Sequence, residues 1–218
     1  MEMKCKHLLA VIFILAFVMK INAQEVPQIP TPVELILGNE RFGLQTLVTK
    51  NFPDSKRFSF LSVVNFESDY SQNNNNLDFF NSSQISFDIY KGFGISSGIN
   101  VTKAAGLSPA LGLQYVFANP TWFFVATPSL IFSTGKSASF LSILEYKPKL
   151  TNQLKLYSRI QGLYNHNITL STHERSYLQL RIGLGYKKYQ FGLASNLDYF
   201  GPNRFFKDNY GVFIRANL

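Results

Sequence analysis

The feature that most constrains this chain is the alternation of large apolar residues with small or polar ones. In the stretch 178–186, Leu, Ile and Tyr occupy every even position, and Gln, Arg and Gly occupy the odd ones. Successive side chains of a β-strand point to opposite faces, whereas a helix needs apolar residues three and four apart. The stretch therefore predicts a strand with one apolar face. The same alternation recurs up to the last residue, which predicts an all-β chain.

Composition narrows the class of protein. The chain has 218 residues, a formal net charge of +8, 16% charged residues and one cysteine. A soluble domain usually carries about 25% charged residues. Its 46% hydrophobic content excludes a disordered chain, and the single cysteine excludes a disulfide scaffold. The length fits one domain, and so few charges indicate a surface that is partly covered by something other than water.

The N-terminus has the pattern of a secretory signal. Lys4 and Lys6 precede an apolar run at 8–18, and Ala23 ends the segment. An apolar helix of this length spans about 16 Å, about half of a bilayer core, which favours a cleaved signal over a membrane anchor. We therefore predict a signal peptide over 1–23 and one barrel domain over 24–218.

Turn signals divide the rest of the chain into strands joined alternately by short and long connections. The short ones include Pro53-Asp54 and Lys187-Lys188, and the long ones are predicted over 68–82, 102–108, 134–137, 165–173 and 201–208. The intervening strands are approximately 33–38, 41–50, 57–67, 83–91, 93–102, 108–118, 121–133, 138–147, 153–164, 175–187, 189–199 and 209–218. This pattern is typical of a transmembrane up-and-down antiparallel β-barrel. We predict twelve strands, with ten as the next even number.

The two faces of the predicted strands differ in the way a membrane barrel requires. One face is dense in Leu, Ile, Phe and Val, while the other carries Gly, Ser, Gln and Asn with occasional charges. Aromatic residues lie near both ends of the strands: Phe117, Trp122, Tyr146, Tyr186 and Tyr189 by the short turns, and Phe66, Tyr164, Tyr199 and Tyr210 by the long ones. Such bands are expected at the two membrane interfaces. A β core rich in Phe and Tyr is the alternative. Pro128 falls inside one strand, where we expect a bulge or break.

The C-terminal segment adds a resemblance. Asn209, Gly211 and Ile214 follow the pattern of the last strand in Gram-negative outer-membrane β-barrel proteins, although the chain ends in Leu218 rather than an aromatic residue. With the signal and the strands, the chain resembles this porin-like class. The resemblance implies the outer membrane of a Gram-negative cell as location, and outer-membrane lipids and the insertion machinery as partners.

If the apolar face meets lipid, the other face lines a lumen. By parity the lumen receives Glu34, Glu67, Asp88, Gln114, Glu145, Lys155, Arg159, Gln161, Gln179, Arg181, Asn196, Asp198 and Arg215. Arg159 and Arg181 lie on adjacent strands at similar height, and like charges side by side are costly unless they are balanced. Two interpretations stay open: an anion-favouring constriction formed by Lys155, Arg159, Arg181 and Arg215, or a salt-bridged plug in which Glu145, Asp198 or Glu34 neutralises the arginines.

Candidate catalytic residues are confined to one loop. His166 and His173 fall in the predicted loop 165–173, and Ser171, His173 and Glu174 are the residue types of a nucleophile, a base and an orienting acid. Three neighbours in a loop do not make a triad, so no catalytic residue is assigned, and a metal site would need further ligands. No cofactor is predicted. The Asn-rich segment 68–82 is predicted as a mobile loop rather than a gate.

Three functions remain open from the sequence. The first is a passive porin-like channel for small solutes with a mildly basic lumen, or a structural barrel; this favours a protein without enzymatic activity. The second is an outer-membrane lipid hydrolase with a site near the outer rim. The third is a secreted, soluble β-barrel that binds an apolar ligand. Nucleic acid is excluded as a partner because the positive charge is dispersed.

Overall fold

A computed structural model describes residues 30–52, 55–70, 77–133 and 135–218. The predicted signal peptide and the asparagine run at 73–76 lie outside the described residues. Twelve strands follow one another: β1 Pro32–Gly38, β2 Arg41–Phe52, β3 Ser55–Asp69, β4 Leu77–Tyr90, β5 Phe93–Thr102, β6 Gly106–Ala118, β7 Trp122–Phe132, β8 Lys136–Tyr146, β9 Leu154–Asn167, β10 Thr172–Tyr186, β11 Tyr189–Phe200 and β12 Phe205–Asn217. Within the described residues, no helix is long and apolar enough to cross a membrane.

The strands form one closed antiparallel barrel. Each strand pairs with its neighbours in sequence, and β1 closes the barrel on β12 with Pro32 opposite Asn217. The predicted fold class and strand number are therefore confirmed. We call the end that carries Pro32 and Asn217 the near end, and the opposite end the far end.

The far-end connections are shorter than predicted. Strand β4 already begins at Leu77, β9 runs to Asn167 and β10 begins at Thr172. Polar residues that the sequence assigns to loops are therefore part of paired strands. In a barrel, the strands can stay hydrogen-bonded to their neighbours beyond the last outward apolar residue. The prediction of a loop over 165–173 is wrong except for the turn between Asn167 and Thr172.

The apolar face of the strands points outward. Ile182, Phe191 and Leu193 are 58%, 49% and 63% exposed. Leu178 and Leu184 are exposed as well. The predicted aromatic residues also lie on the outside near both ends. For example, the ring centroids of Trp122 and Tyr146, at the near end, are 4.2 Å apart with the rings tilted by 30°. The exterior is thus the lipid-compatible surface that the alternation predicts.

Pro128 interrupts one ladder without changing the register. On β7 it stays paired with Phe140 of β8. On the other side, the pairing with β6 skips from Gly112–Ser129 to Tyr115–Ala126, and both pairs belong to the same register. Proline has no N–H to donate. The break that the sequence predicts is therefore present as a short gap in the pairing of β6 with β7, without a β-bulge.

Candidate functional site

The interior of the barrel is where parity places the predicted lumen residues. Eleven of them are buried there: Glu34, Glu67, Gln114, Glu145, Arg159, Gln161, Gln179, Arg181, Asn196, Asp198 and Arg215. Asp88 is half-buried, and Lys155 is exposed to a cavity at the near end. The period of two along each strand is sufficient to predict these positions, because it fixes which face a side chain joins.

The two central arginines share one carboxylate. Arg159 and Arg181 are directly opposite each other on β9 and β10. Arg159 Nη2 donates to Glu34 Oε1 at 2.7 Å, and Arg181 Nε donates to the same oxygen at 2.9 Å. Arg181 Nη1 also donates to the side-chain oxygen of Asn196 at 2.9 Å. Glu34 therefore screens the two guanidinium groups from each other, and the trio keeps one positive charge.

A second ion pair lies toward the near end. Arg215 of β12 donates to Glu145 of β8 at 2.5 Å, and the Tyr157 hydroxyl is within hydrogen-bond reach of both. Lys147 Nζ contacts the other oxygen of Glu145 at 2.8 Å. We call the groups Glu34, Glu145, Arg159, Arg181 and Arg215 the near cluster. It contains three buried cations and two buried carboxylates.

A second cluster, toward the far end, has the opposite balance. Arg41 bridges Glu67 at 2.7 Å and Asp198 at 3.1 Å. Arg175 bridges Asp78 at 2.5 Å and lies 3.6 Å from Asp198. These five groups, the far cluster, hold three carboxylates and two arginines. Three of these groups are absent from the predicted lumen residues, because Arg41 and Arg175 are the first residues of their predicted strands and Asp78 lies in a predicted loop.

Amide side chains form hydrogen bonds across the lumen. Gln45 Nε2, on β2, lies 3.1 Å from Gln161 Oε1 on β9 and 3.3 Å from Gln179 Oε1 on β10. Gln161 Nε2 donates to the Tyr177 hydroxyl at 3.0 Å. Since β2 does not neighbour β9 or β10 in the sheet, these bonds join opposite walls.

An apolar cluster fills the other part of the interior, which the sequence did not predict. It contains Leu47, Leu61, Val63, Phe80, Phe123, Val125, Leu141, Ile143, Leu163 and Tyr177. These residues come from β2 to β4 and from β7 to β10, while β5 and β6 contribute none of the fully buried members. The cluster therefore reaches across the lumen. The inward face is therefore uniformly polar only on some strands. On the others, apolar side chains point inward as well, because they are buried against the opposite wall of the barrel.

Two cavities open at the ends of the barrel. The near cavity has a volume of about 550 Å³ and is lined by four cations, Lys147, Lys155, Lys187 and Arg215, against one carboxylate, Glu145, among the described residues. The far cavity, of about 670 Å³, is lined by Lys103 and Arg175 against Asp78 and Glu174, together with the His173 ring. The near cavity is therefore basic, and the far cavity is balanced.

The histidine region is assembled differently from the arrangement that the sequence suggested. His173 lies on β10, opposite His166 on β9. Glu174 accepts hydrogen bonds from Ser137 Oγ at 2.9 Å and Asn167 Nδ2 at 3.0 Å, and Ser171 lies in the turn between the strands. The two ring nitrogens of His173 instead contact Gly201 and Ser176. Across the described residues, no group of three or more His, Cys, Asp or Glu side chains could hold a metal ion.

Comparison with known proteins finds likeness in the fold. No family model and no curated protein matches the sequence. Among solved structures, the chain is similar to a KdgM porin (10% identity, 87% of this chain and 99% of that chain covered, TM-score 0.45). It is also similar to a NanC porin (8%, 87% and 100%, 0.44) and to LpxR from Salmonella typhimurium (7%, 86% and 99%, 0.40). The chain spans nearly the full length of these three proteins. At these identities the likeness is one of fold.

Proposed function

We propose that this chain is an outer-membrane β-barrel that acts as a porin-like channel of low conductance for small solutes, with a preference for anions. The observation that carries the proposal is the pair of cavities. They open at opposite ends of one closed barrel, and the barrier between them consists of side chains of the strands themselves. A barrier of side chains can open by rotamer changes without moving the backbone.

The near cluster supports a hydrated path through this barrier. Glu34 Oε2, Arg159 Nε and Arg181 Nη2 are buried and have no hydrogen-bond partner among the described residues. Buried polar groups almost always have a partner, and ordered water supplies it when the protein does not. The charged side of the lumen is therefore the side along which ions and small solutes would pass, while the apolar cluster blocks the other side.

The basic near cavity supports the preference for anions. Lys147, Lys155 and Lys187 surround the entrance to the near cluster, and the cluster itself has one excess positive charge. A concave site lined by one sign of charge raises the local concentration of the opposite ion. The far cluster has one excess negative charge. We therefore expect the basic near end to determine the ion selectivity of the whole channel, which should be a mild preference for anions.

The exterior supports the location in the outer membrane of a Gram-negative cell. Outward residues such as Ile182 and Leu193 suit acyl chains as partners. On β12, Tyr210, Val212 and Ile214 are exposed on the same outer face, where the insertion machinery of the outer membrane could read them. The same exposed residues disfavour a soluble barrel, whose apolar side chains would be turned inward.

Planar bilayers test the channel. We expect the purified barrel to give small discrete conductance steps, with a reversal potential in a salt gradient displaced toward anions. Changing Lys147, Lys155 and Lys187 together to Gln should reduce that displacement, whereas Lys136→Gln, an exposed change at the far end, should leave it unchanged.

A second variant separates a channel from a structural barrel. Replacing Glu34, Arg159 and Arg181 together by Ser removes the charged barrier without leaving a buried ion unpaired, and should raise the conductance severalfold. If neither the unaltered chain nor this triple variant conducts, the chain is a structural barrel closed by the apolar cluster. If the barrel conducts but its reversal potential does not change when the three lysines are replaced, the proposal of a basic lumen is wrong.

A further inference from the structure

The hydrogen bonds of His173 make it a base directed at a serine hydroxyl. His173 Nδ1 lies 2.8 Å from the carbonyl oxygen of Gly201, and its Nε2 lies 3.0 Å from Ser176 Oγ. A carbonyl oxygen can only accept, so Nδ1 carries the hydrogen and donates it. In the neutral ring the free lone pair is then on Nε2, where it can accept the proton of the Ser176 hydroxyl.

An irregularity in β10 creates this pair. His173 pairs with His166 and Arg175 with Asn165, so that Glu174 is an extra residue in the ladder. Such bulges redirect side chains and are common beside active sites. The N–H of Gly201 donates to the Glu174 carbonyl at 2.7 Å, and Gly201 has a positive φ of 68°. The turn at Gly201, whose carbonyl oxygen orients His173, is therefore hydrogen-bonded to the bulge. Its positive φ is a conformation that glycine adopts readily.

Ser176 lies in the aromatic band at the far end of the exterior. It is directly opposite Tyr164 on β9 and Tyr199 on β11. Both tyrosines are exposed, and the Tyr164 ring is 5.8 Å from the His173 ring. Tyrosines concentrate at the level of the lipid headgroups, which is where the ester bonds of a membrane lipid lie. Their phenolic hydroxyls are also donors of the kind that an oxyanion accepts.

An apolar groove ends at Tyr164, the residue directly opposite Ser176. It measures about 590 Å³ and is lined mainly by Leu111, Leu113, Pro128, Leu130, Phe140 and Tyr164. Tyr164 is opposite Phe140, and Phe140 is opposite Pro128, so Ser176 and these three residues form one row across four strands. Four neighbouring strands make the row about 14 Å long. This is close to the length of one acyl chain, since two opposed acyl chains fill a hydrocarbon core of about 30 Å.

Water can reach the same site from the other side of the wall. His173 also lines the far cavity of about 670 Å³, which opens at the end of the barrel. His173 thus lines the aqueous cavity and contacts Tyr164, which lines the lipid-facing groove. A hydrolytic site at a membrane surface needs both.

We propose that Ser176 and His173 hydrolyse an acyl ester of a membrane lipid. Ser176 Oγ attacks the ester carbonyl while His173 Nε2 takes its proton, and the same proton then goes to the departing alkoxide, which leaves as an alcohol. Water from the far cavity attacks the resulting acyl-serine with His173 again as base. The products are the free fatty acid and the deacylated lipid, and Ser176 is regenerated. This activity is independent of the proposed channel.

Two measurements on the full chain in phosphatidylethanolamine vesicles test the proposal. Hexadecyl fluorophosphonate should phosphonylate Ser176 with loss of fluoride, as read by peptide mass spectrometry, and the vesicles should release fatty acid. Ser176→Ala should abolish both signals. His173→Gln should slow both by at least about 100-fold, the usual contribution of a general base.

Matched variants give the controls. Ser171→Ala changes a serine of the neighbouring turn and should retain both reactions. Ala138→Trp adds bulk to the groove and should raise KM for a hexadecanoyl ester more than KM for a butanoyl ester. Absence of a Ser176 adduct in the unaltered chain would overturn the proposal, as would fatty-acid release that persists in Ser176→Ala. Conductance should be the same with Ser176 or Ala, so the two functions can fail separately.

Discussion

At the scale of single residues, the interior depends on carboxylates that serve more than one arginine. Glu34 binds Arg159 and Arg181, and Asp198 lies between Arg41 and Arg175. The alternation predicts that Glu34, Arg159 and Arg181 face inward, but not their pairing, because partners on distant strands depend on the closure of the barrel. Arg159 and Arg181 are paired with Glu34, and one excess positive charge remains among the three groups. The constriction and the plug both stay predictions, which the conductance measurements test.

Glu34→Gln tests the energetic role of the shared carboxylate. Removing one partner of a buried ion pair leaves an uncompensated charge, so the free energy of unfolding should fall by about 3–5 kcal/mol. Urea unfolding of the reconstituted barrel, followed by tryptophan fluorescence, measures this change.

Glu40→Gln is the control for that change. Glu40 is exposed in the turn after β1, and a surface substitution should change the free energy of unfolding by less than about 0.5 kcal/mol. Equal effects of the two substitutions would show that Glu34 does not hold the arginines as described.

At the scale of elements, strand existence is predictable and strand ends are not. All twelve predicted strands are present, yet β4 starts at Leu77 rather than near Ser83, and β10 starts at Thr172. The far parts of these strands carry Asn, Ser and Thr, which resemble loop residues because they lie above the apolar band. The bulge that joins His173 to Ser176 left no pattern in the sequence, because it depends on pairing with β9.

Gly183→Ala tests the close approach of β10 and β11. Gly183 is opposite Gly192, and a Cβ on Gly183 would lie 2.1 Å from the carbonyl oxygen of Phe191. The strands would have to move apart, so we expect a loss of about 1–3 kcal/mol in the free energy of unfolding. The same urea titration measures it.

Gly185→Ala is the matched control on the same face of the same strand. The nearest atom to a Cβ on Gly185 is Gln190 Cγ at 3.5 Å, an ordinary contact. It should therefore be tolerated, and equal losses for both alanines would contradict a specific close approach at Gly183.

At the scale of the whole molecule, one arrangement explains composition, fold and proposed functions together. The apolar faces form the outside, and ion pairs, amides and an apolar cluster fill the inside between two cavities. The outward direction is predictable from few charges and strict alternation. The inward apolar cluster is not, because residues such as Val63 and Ile143 occupy inward positions, where the alternation predicts polar side chains, and are buried by packing within the cluster.

The most direct test of this arrangement is quenching of site-specific labels by nitroxide lipids. Single cysteines replace the exterior Ile182 and Leu193 and the interior Gln179 and Asn196, in a chain that carries Cys5→Ser. Fluorophores attached at 182 and 193 should be strongly quenched by acyl-chain nitroxides, and those at 179 and 196 should not. Strong quenching at the interior positions, or none at 182 and 193, would contradict a barrel whose apolar faces meet lipid.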